Sequence, residues 1–137
     1  MSEALTDRVP HAAKPEVTED TVARGVRVFF RVMEQWGVRN HHVRILLGRP
    51  ARATFYKWKA NRIGKVPFDT VKRISYVLGI YKALEILYSQ PGMADSWIKR
   101  SNAAFGGQSA LDRMIGGDVT DLAAVRQHLD AVRGGWG

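Results

Sequence analysis

The 137-residue sequence lacks cysteine, which excludes a disulfide framework and a zinc site built from thiolates. It also lacks any apolar run that approaches the roughly 20 residues of a membrane-spanning helix. The N-terminus carries charged residues where a signal peptide would carry its apolar stretch. From these absences we expect a cytoplasmic protein that makes no contact with a membrane.

The sequence also offers little that suggests catalysis or metal binding. His41 and His42 are adjacent, so their side chains point in different directions, whereas a helical metal site needs histidines four residues apart. His11 and His128 lie far from this pair along the chain. No Ser/His/Asp order, glycine-rich phosphate loop or apolar-embedded carboxylate pair stands out. We therefore expect no metal, no cofactor and no enzymatic activity.

Acidic residues are nearly absent from one segment. From Gly37 to Lys82 the chain has eleven Lys and Arg residues against the single acidic residue Asp69, a net charge of +10, whereas residues 1–36 and 83–137 each carry −1. Positive charge confined to one segment is typical of a binding site for a polyanion such as nucleic acid. The alternative interpretation is a basic face that contacts only solvent.

The same segment has the pattern of a helix-turn-helix. An apolar helix ends near Leu46, Gly48 and Pro50 break it, and Phe55 and Trp58 lie three residues apart in a second helix, where both would face the core. The residues that we predict to approach DNA base edges are Arg52, Thr54, Tyr56 and Lys57. Those predicted to contact phosphates are Lys59, Arg62 and Lys65, and Arg49 of the turn completes the predicted DNA-binding set.

Helical periodicity in the remaining sequence predicts an all-α fold, and 45% hydrophobic residues suffice for a core. Thr18 should cap a first helix that Gly37 ends, and Asn40 should cap the second. Gly79 should divide the apolar stripe that follows the recognition helix into two helices. Asp118 should begin the last helix.

We expect three parts: a flexible arm at 1–17, a helix-turn-helix DNA-binding and dimerisation domain at 18–90, and a second small domain at 91–137. Trp136 is flanked by glycines next to the C-terminus, where helix packing gives it little chance of joining a core. A large aromatic residue there is either disordered or inserted into a partner. The residues alone leave both possibilities open.

Several parts of the chain together match a known family: the segments 46–58 and 73–84, Trp97, Phe105-Gly106-Gly107, Ala110-Leu111-Asp112, and the spacing of Leu122, Val125 and Leu129. This combination resembles the Xre/MbcA/ParS antitoxins over about residues 20–135. Two positions depart from the family pattern. Ala51 stands where a helix-capping serine is expected, and Asn40-His41-His42 lacks the usual acidic first turn.

The resemblance implies an Xre-like helix-turn-helix joined to a small helical toxin-binding domain. It implies a type II antitoxin that homodimerises, covers the active site of a RES-domain toxin acting on NAD, and represses its own operon by binding operator DNA. The residues to which we assign toxin contact are Trp97, Leu129, Val132, Arg133 and Trp136, with Arg133 and Trp136 reaching the NAD cleft. The alternatives are a stand-alone helix-turn-helix regulator and a protein inhibitor with a vestigial DNA-binding domain.

Overall fold

The computed structural model describes residues 18–134, and the predicted all-α fold is confirmed over that range. The helices in chain order are α1 (Glu19–Trp36), α2 (Asn40–Leu46), α3 (Arg52–Lys59), α4 (Phe68–Leu87), α5 (Met93–Trp97), a short 3-10 helix (Ala103–Phe105), α6 (Ala110–Met114) and α7 (Val119–Gly134). Among the described residues, no helix combines the length and the apolar composition needed to cross a bilayer.

Helix α1 has the bounds that its end signals predict. The hydroxyl oxygen of Thr18 accepts a hydrogen bond from the Thr21 N–H at 3.1 Å, and Glu19 and Asp20 occupy the first turn, where they complement the helix dipole. Gly37 ends the helix in the left-handed conformation, with φ of 68°. Both signals are local, so the sequence alone reveals them.

Helix α4 is one continuous helix of 20 residues, and the predicted break at Gly79 is wrong. Gly79 lies where α4 packs against α7, and a Cβ atom at this position would overlap the guanidinium of Arg126. An interior glycine costs a helix about 1 kcal/mol relative to alanine. Packing of α4 against α1 and α7 on its two sides outweighs that cost.

Asn40 does not cap α2, contrary to the prediction. The helix begins at Asn40 itself, after the extended residue Arg39, and no side chain caps it. The Asn40 side-chain oxygen instead accepts a hydrogen bond from Lys59 Nζ at 2.7 Å. A contact with the end of α3 therefore replaces the predicted local bond.

One hydrophobic core joins the N-terminal and C-terminal helices. Phe29, Leu46 and Phe55 belong to the same buried cluster as Met114 and Leu122, and residues of α4 such as Val77 and Ile80 link the two ends. Helix α4 packs against α1 and α7 and also contacts α5. The helix-turn-helix and the C-terminal helices therefore share their central helix.

Candidate functional sites

Side chains of α4 stabilise the turn between α2 and α3. Gly48 and Arg49 both have positive φ, at 93° and 60°, and only glycine adopts this region without strain. The buried hydroxyl of Thr70 donates to the carbonyl of Leu47 at 3.0 Å. A Cβ at Gly48 would lie only 3.0 Å from Arg73 Nε and 3.1 Å from the Asp69 carboxylate, so these side chains would have to shift to accept it. Contacts from α4 thus fix the turn and the direction in which α3 leaves it.

Helix α3 presents a basic outer face, as predicted for a recognition helix. Phe55 and Trp58 are buried, and the ring of Phe55 meets Phe30 of α1 edge-on with ring centroids 5.7 Å apart. Ala51 precedes the helix without a side-chain cap. Among the predicted DNA-binding residues, Thr54 is half-buried and the others are exposed: Arg49, Arg52, Tyr56, Lys57, Lys59, Arg62 and Lys65. The fold thus displays cationic and aromatic side chains beside one another on one helix.

Arg49 and Arg73 both reach the turn before α7. Arg73 is buried, and its guanidinium donates to the Gly117 carbonyl at 2.9 Å and to the Asp69 carboxylate at 2.8 Å. The guanidinium nitrogens of Arg49 lie 3.0 Å from the position that a Cβ on Gly117 would occupy. These contacts tie the helix-turn-helix to the C-terminal helices. Sequence reasoning missed Arg73, for which the only signal was a charged residue beside the apolar stripe of α4.

His42 of α2 adds little positive charge to this region at neutral pH. Burial lowers the pKa of His42, the nearby charges of His41 and Arg39 lower that pKa further, and Asp112 acts in the opposite direction. The lowered pKa favours the neutral form of the His42 imidazole at pH 7. Arginine and lysine carry the positive charge of this surface.

Helix α6 begins at a capping box, and the Asp121 side chain holds the backbone at the start of α7. Ser109 Oγ accepts from the Asp112 N–H at 2.9 Å while the Asp112 carboxylate accepts from the Ser109 N–H at 3.3 Å, which is a capping box. The Asp121 carboxylate accepts from the Asp118 N–H at 3.1 Å and from Arg113 Nε at 2.9 Å. Asp118 directly precedes α7, as predicted, but the bond at this helix start runs from the Asp118 N–H to the Asp121 side chain.

The residues assigned to toxin contact differ in accessibility. Leu129 is 1% exposed and Trp97 is 8% exposed, so both side chains pack in the core. The Trp97 ring stacks on His128 with centroids 6.2 Å apart, which fixes α5 against α7. Val132 is 37% exposed and Arg133 is exposed at the end of α7. Trp136 lies outside the described residues.

An apolar groove of about 260 Å³ runs between α1 and α4. Its walls are Thr21, Val22, Gly25, Val71, Ile74, Ser75 and Leu78. A second depression shares Val71 and Ser75 with it and is lined in addition by Phe68, Lys72, Tyr76 and Arg126. The ring of Phe68 is 80% exposed at this end. The apolar excess of the stripe in α4 indicates a candidate dimer surface from the sequence alone, but the groove that this stripe forms with α1 depends on how the two helices pack.

Comparison with known proteins identifies a domain in the C-terminal part of the chain. Residues 83–135 match the model of the antitoxin Xre/MbcA/ParS C-terminal toxin-binding domain. A protein of Sinorhizobium fredii (strain NBRC 101917 / NGR234), the uncharacterized protein y4oB, is 45% identical over 123 residues, which cover 90% of this chain and 95% of that protein. The chain therefore belongs to one family with this protein and carries the antitoxin Xre/MbcA/ParS C-terminal toxin-binding domain at residues 83–135.

Proposed function

We propose that this type II antitoxin neutralises a RES-domain toxin through its C-terminal helices and represses its own operon through its helix-turn-helix. The observation that carries the proposal is the match of residues 83–135 to the toxin-binding domain, on a chain whose other half displays an exposed basic recognition helix. One chain then has two binding surfaces for two chemically different partners, a protein and a nucleic acid.

The end of α7 is the part of the toxin-binding domain that we assign to the toxin. Val132 and Arg133 are accessible there, whereas Leu129 and Trp97 hold the helix in place from the core. The chain continues for three residues beyond Gly134, with Trp136 among them. In this proposal the Trp136 ring fills the NAD cleft of the toxin, where it buries a large aromatic surface and covers the active site.

The outer face of α3 is the part that we assign to operator DNA. Arg52 and Lys57 suit base edges and phosphates in the major groove, and Tyr56 is exposed between them. The Gly37–Lys82 segment, with its net charge of +10, supplies the electrostatic attraction. Repression of the antitoxin's own promoter follows if the operator overlaps it.

A second copy of this chain is the occupant that we assign to the groove between α1 and α4. The exposed Phe68 and the groove lie on one continuous surface, so in a two-fold dimer each copy can place its Phe68 ring in the groove of the other. The charges are also self-complementary. Glu19 and Asp20 precede the groove residues of α1, while Lys72 and Arg126 line the Phe68 end. A dimer also matches the two half-sites of a helix-turn-helix operator.

Co-expression with the product of the neighbouring gene tests the proposal, which predicts that this product is a RES-domain toxin. The two proteins should copurify, and the purified complex should consume no NAD until the antitoxin is removed. If no RES-domain protein copurifies and added antitoxin leaves NAD consumption unchanged, the antitoxin mechanism proposed here is wrong. A footprint on the promoter without any copurifying partner would favour the stand-alone regulator.

A further inference from the structure

A separate groove, of about 380 Å³, lies between α1 and the helix-turn-helix, away from the groove between α1 and α4. Three cationic side chains line it, Arg27 and Arg31 from α1 and Lys59 from α3, against one acidic side chain, Glu34. Its apolar walls include Phe30 and the buried residues Met33, Val43 and Trp58. Cationic groups beside low-dielectric walls produce a stronger local potential than the same groups on a flat surface.

The fold, not the sequence order, brings these cations together. Arg27 and Arg31 belong to residues 1–36, which carry a net charge of −1 and look unremarkable along the chain. In the structure, however, Arg27 donates to the side-chain oxygen of Asn61, two residues after α3 ends, at 3.3 Å. Helix α1 therefore adds its arginines to the end of the predicted recognition helix.

The positive charges of this groove have no anionic partner within residues 18–134. Lys59 donates to the neutral amide oxygen of Asn40 at 2.7 Å, and the Arg27 bond also goes to a neutral amide. The ion pairs of the described residues lie elsewhere: Arg73 with Asp69, Arg113 with Asp121, and Arg126 with Asp130. Among residues 18–134, the groove is thus a concave cationic site whose charges no ion pair neutralises.

The geometry points to DNA backbone phosphates as the ligand of this groove, with Arg27 and Arg31 extending the DNA contact of α3 onto α1. The inference rests on the proposed DNA binding and adds residues to it. DNA fits better than an acidic protein segment because Lys59 lines the groove and also lies on the exposed basic face of α3. A duplex seated on that face would carry its backbone past the end of the helix. Such contacts set affinity and register without reading sequence.

Fluorescence anisotropy with the full chain and a labelled mixed-sequence duplex of about 24 base pairs, titrated from roughly 50 to 300 mM NaCl, measures the contacts directly. Each lost phosphate contact should reduce the slope of log K against log salt by about one. Arg27→Ala and Arg31→Ala should each show this reduction. Arg27→Lys keeps the charge and should retain the wild-type slope.

Two further variants serve as a control for net charge and as a test of the acidic residue in the groove. Arg100→Ala removes an exposed arginine outside the groove and should leave the slope unchanged, which controls for net charge. Glu34→Gln removes the single acidic side chain of the groove and should tighten binding about two- to fivefold at the lowest salt. Thermal melting of each variant by circular dichroism verifies that the fold is intact.

The outcomes separate this inference from the proposal on which it rests. A wild-type chain that binds the duplex while Arg27→Ala, Arg31→Ala and Arg100→Ala show parallel salt dependence overturns the inference and leaves DNA binding standing. A wild-type chain that fails to bind the duplex at the lowest salt overturns both. Unchanged DNA slopes together with lost copurification of the toxin would identify an acidic protein surface as the occupant instead, which also overturns the inference.

Discussion

The two halves of this antitoxin differ in charge more than in architecture. The Gly37–Lys82 segment carries +10 and residues 83–137 carry −1, yet both contribute helices to the same hydrophobic core. Helix α4 belongs to both halves, because Thr70 holds the helix-turn-helix turn while Gly79 receives Arg126 of α7. The two parts therefore differ in their surfaces: one packed unit has a basic face and a neutral face.

Two arginines hold the basic segment and the C-terminal helices in a fixed relative orientation. Arg73 and Arg49 of the basic half meet the backbone around Gly117, at the start of the toxin-binding helix α7. A rigid connection of this kind fixes the orientation of the toxin-binding domain relative to the proposed DNA-binding face of α3. In the proposed complex the toxin would then occupy a defined position relative to the operator.

The largest expected effect concerns the surface on which we propose that two copies of the chain meet. Phe68→Ser should weaken the dimer by about 3–6 kcal/mol, because a two-fold interface loses two buried rings. Ile86→Ser is the matched control, since Ile86 is also in α4 and is 53% exposed but does not line the groove. Analytical ultracentrifugation should find monomers for the first variant and dimers for the second. Equal dissociation constants would exclude this surface.

A shared core predicts that damage in one half unfolds the other. Leu122→Ala removes a fully buried side chain of α7 and should cost about 2–5 kcal/mol of unfolding free energy. Because the core is continuous, melting followed by helical circular dichroism and by tryptophan fluorescence should give one transition at one lowered temperature. Two separate transitions would show that the halves fold independently.

The basic face should lose sequence discrimination when its leading arginine is removed. Arg52→Ala should reduce the preference for operator over mixed-sequence DNA by about 1–3 kcal/mol, since a base contact carries discrimination that a phosphate contact does not. Lys65→Ala, in the loop after α3, should weaken binding to both DNAs equally. A gel-shift titration on both duplexes measures the ratio, and an unchanged ratio for Arg52→Ala would remove that residue from base recognition.

The smallest expected effect concerns Gly79, the glycine in the interior of α4 where this helix packs against α7. Introducing Gly79→Ala into an Arg126→Ala background should stabilise the fold by about 1 kcal/mol, because alanine favours the helix and the overlapping guanidinium is gone. In the wild-type background the same substitution should gain less, since Arg126 must move aside. Urea unfolding of the four proteins gives the coupling. Equal gains in both backgrounds would show that Arg126 does not constrain this position.

Local signals in the sequence predicted much of the fold, and contacts between distant elements account for the errors. Thr18, Gly37 and Ser109 act through neighbours three or four residues away, so their roles as helix ends were predictable. The continuity of α4 through Gly79 and the bond from Asn40 to Lys59 both depend on a second helix. Neither was accessible to a reading of periodicity and caps.

The sequence also predicted only those features of the candidate sites that depend on neighbouring residues. Burial of Phe55 and Trp58 followed from their spacing, and with it the outward direction of the basic side chains of α3. Counting charge along the chain placed Arg27 in a neutral flank, whereas the fold places it beside Asn61 at the end of α3. The exposure of Phe68 was equally invisible, because an apolar residue gives no sequence signal of whether it meets the core or a partner.

The most direct test of the proposed separation of the two binding surfaces is NAD consumption by the proposed RES-domain toxin, titrated in parallel with two variants of the antitoxin. One carries Arg52→Ala with Lys57→Ala on the basic face, and the other lacks residues 134–137. We expect the first to suppress NAD consumption as well as the wild type does, and the second to leave it at the rate of the free toxin. Full suppression by the truncated chain, or failure of the basic-face variant, would contradict the division.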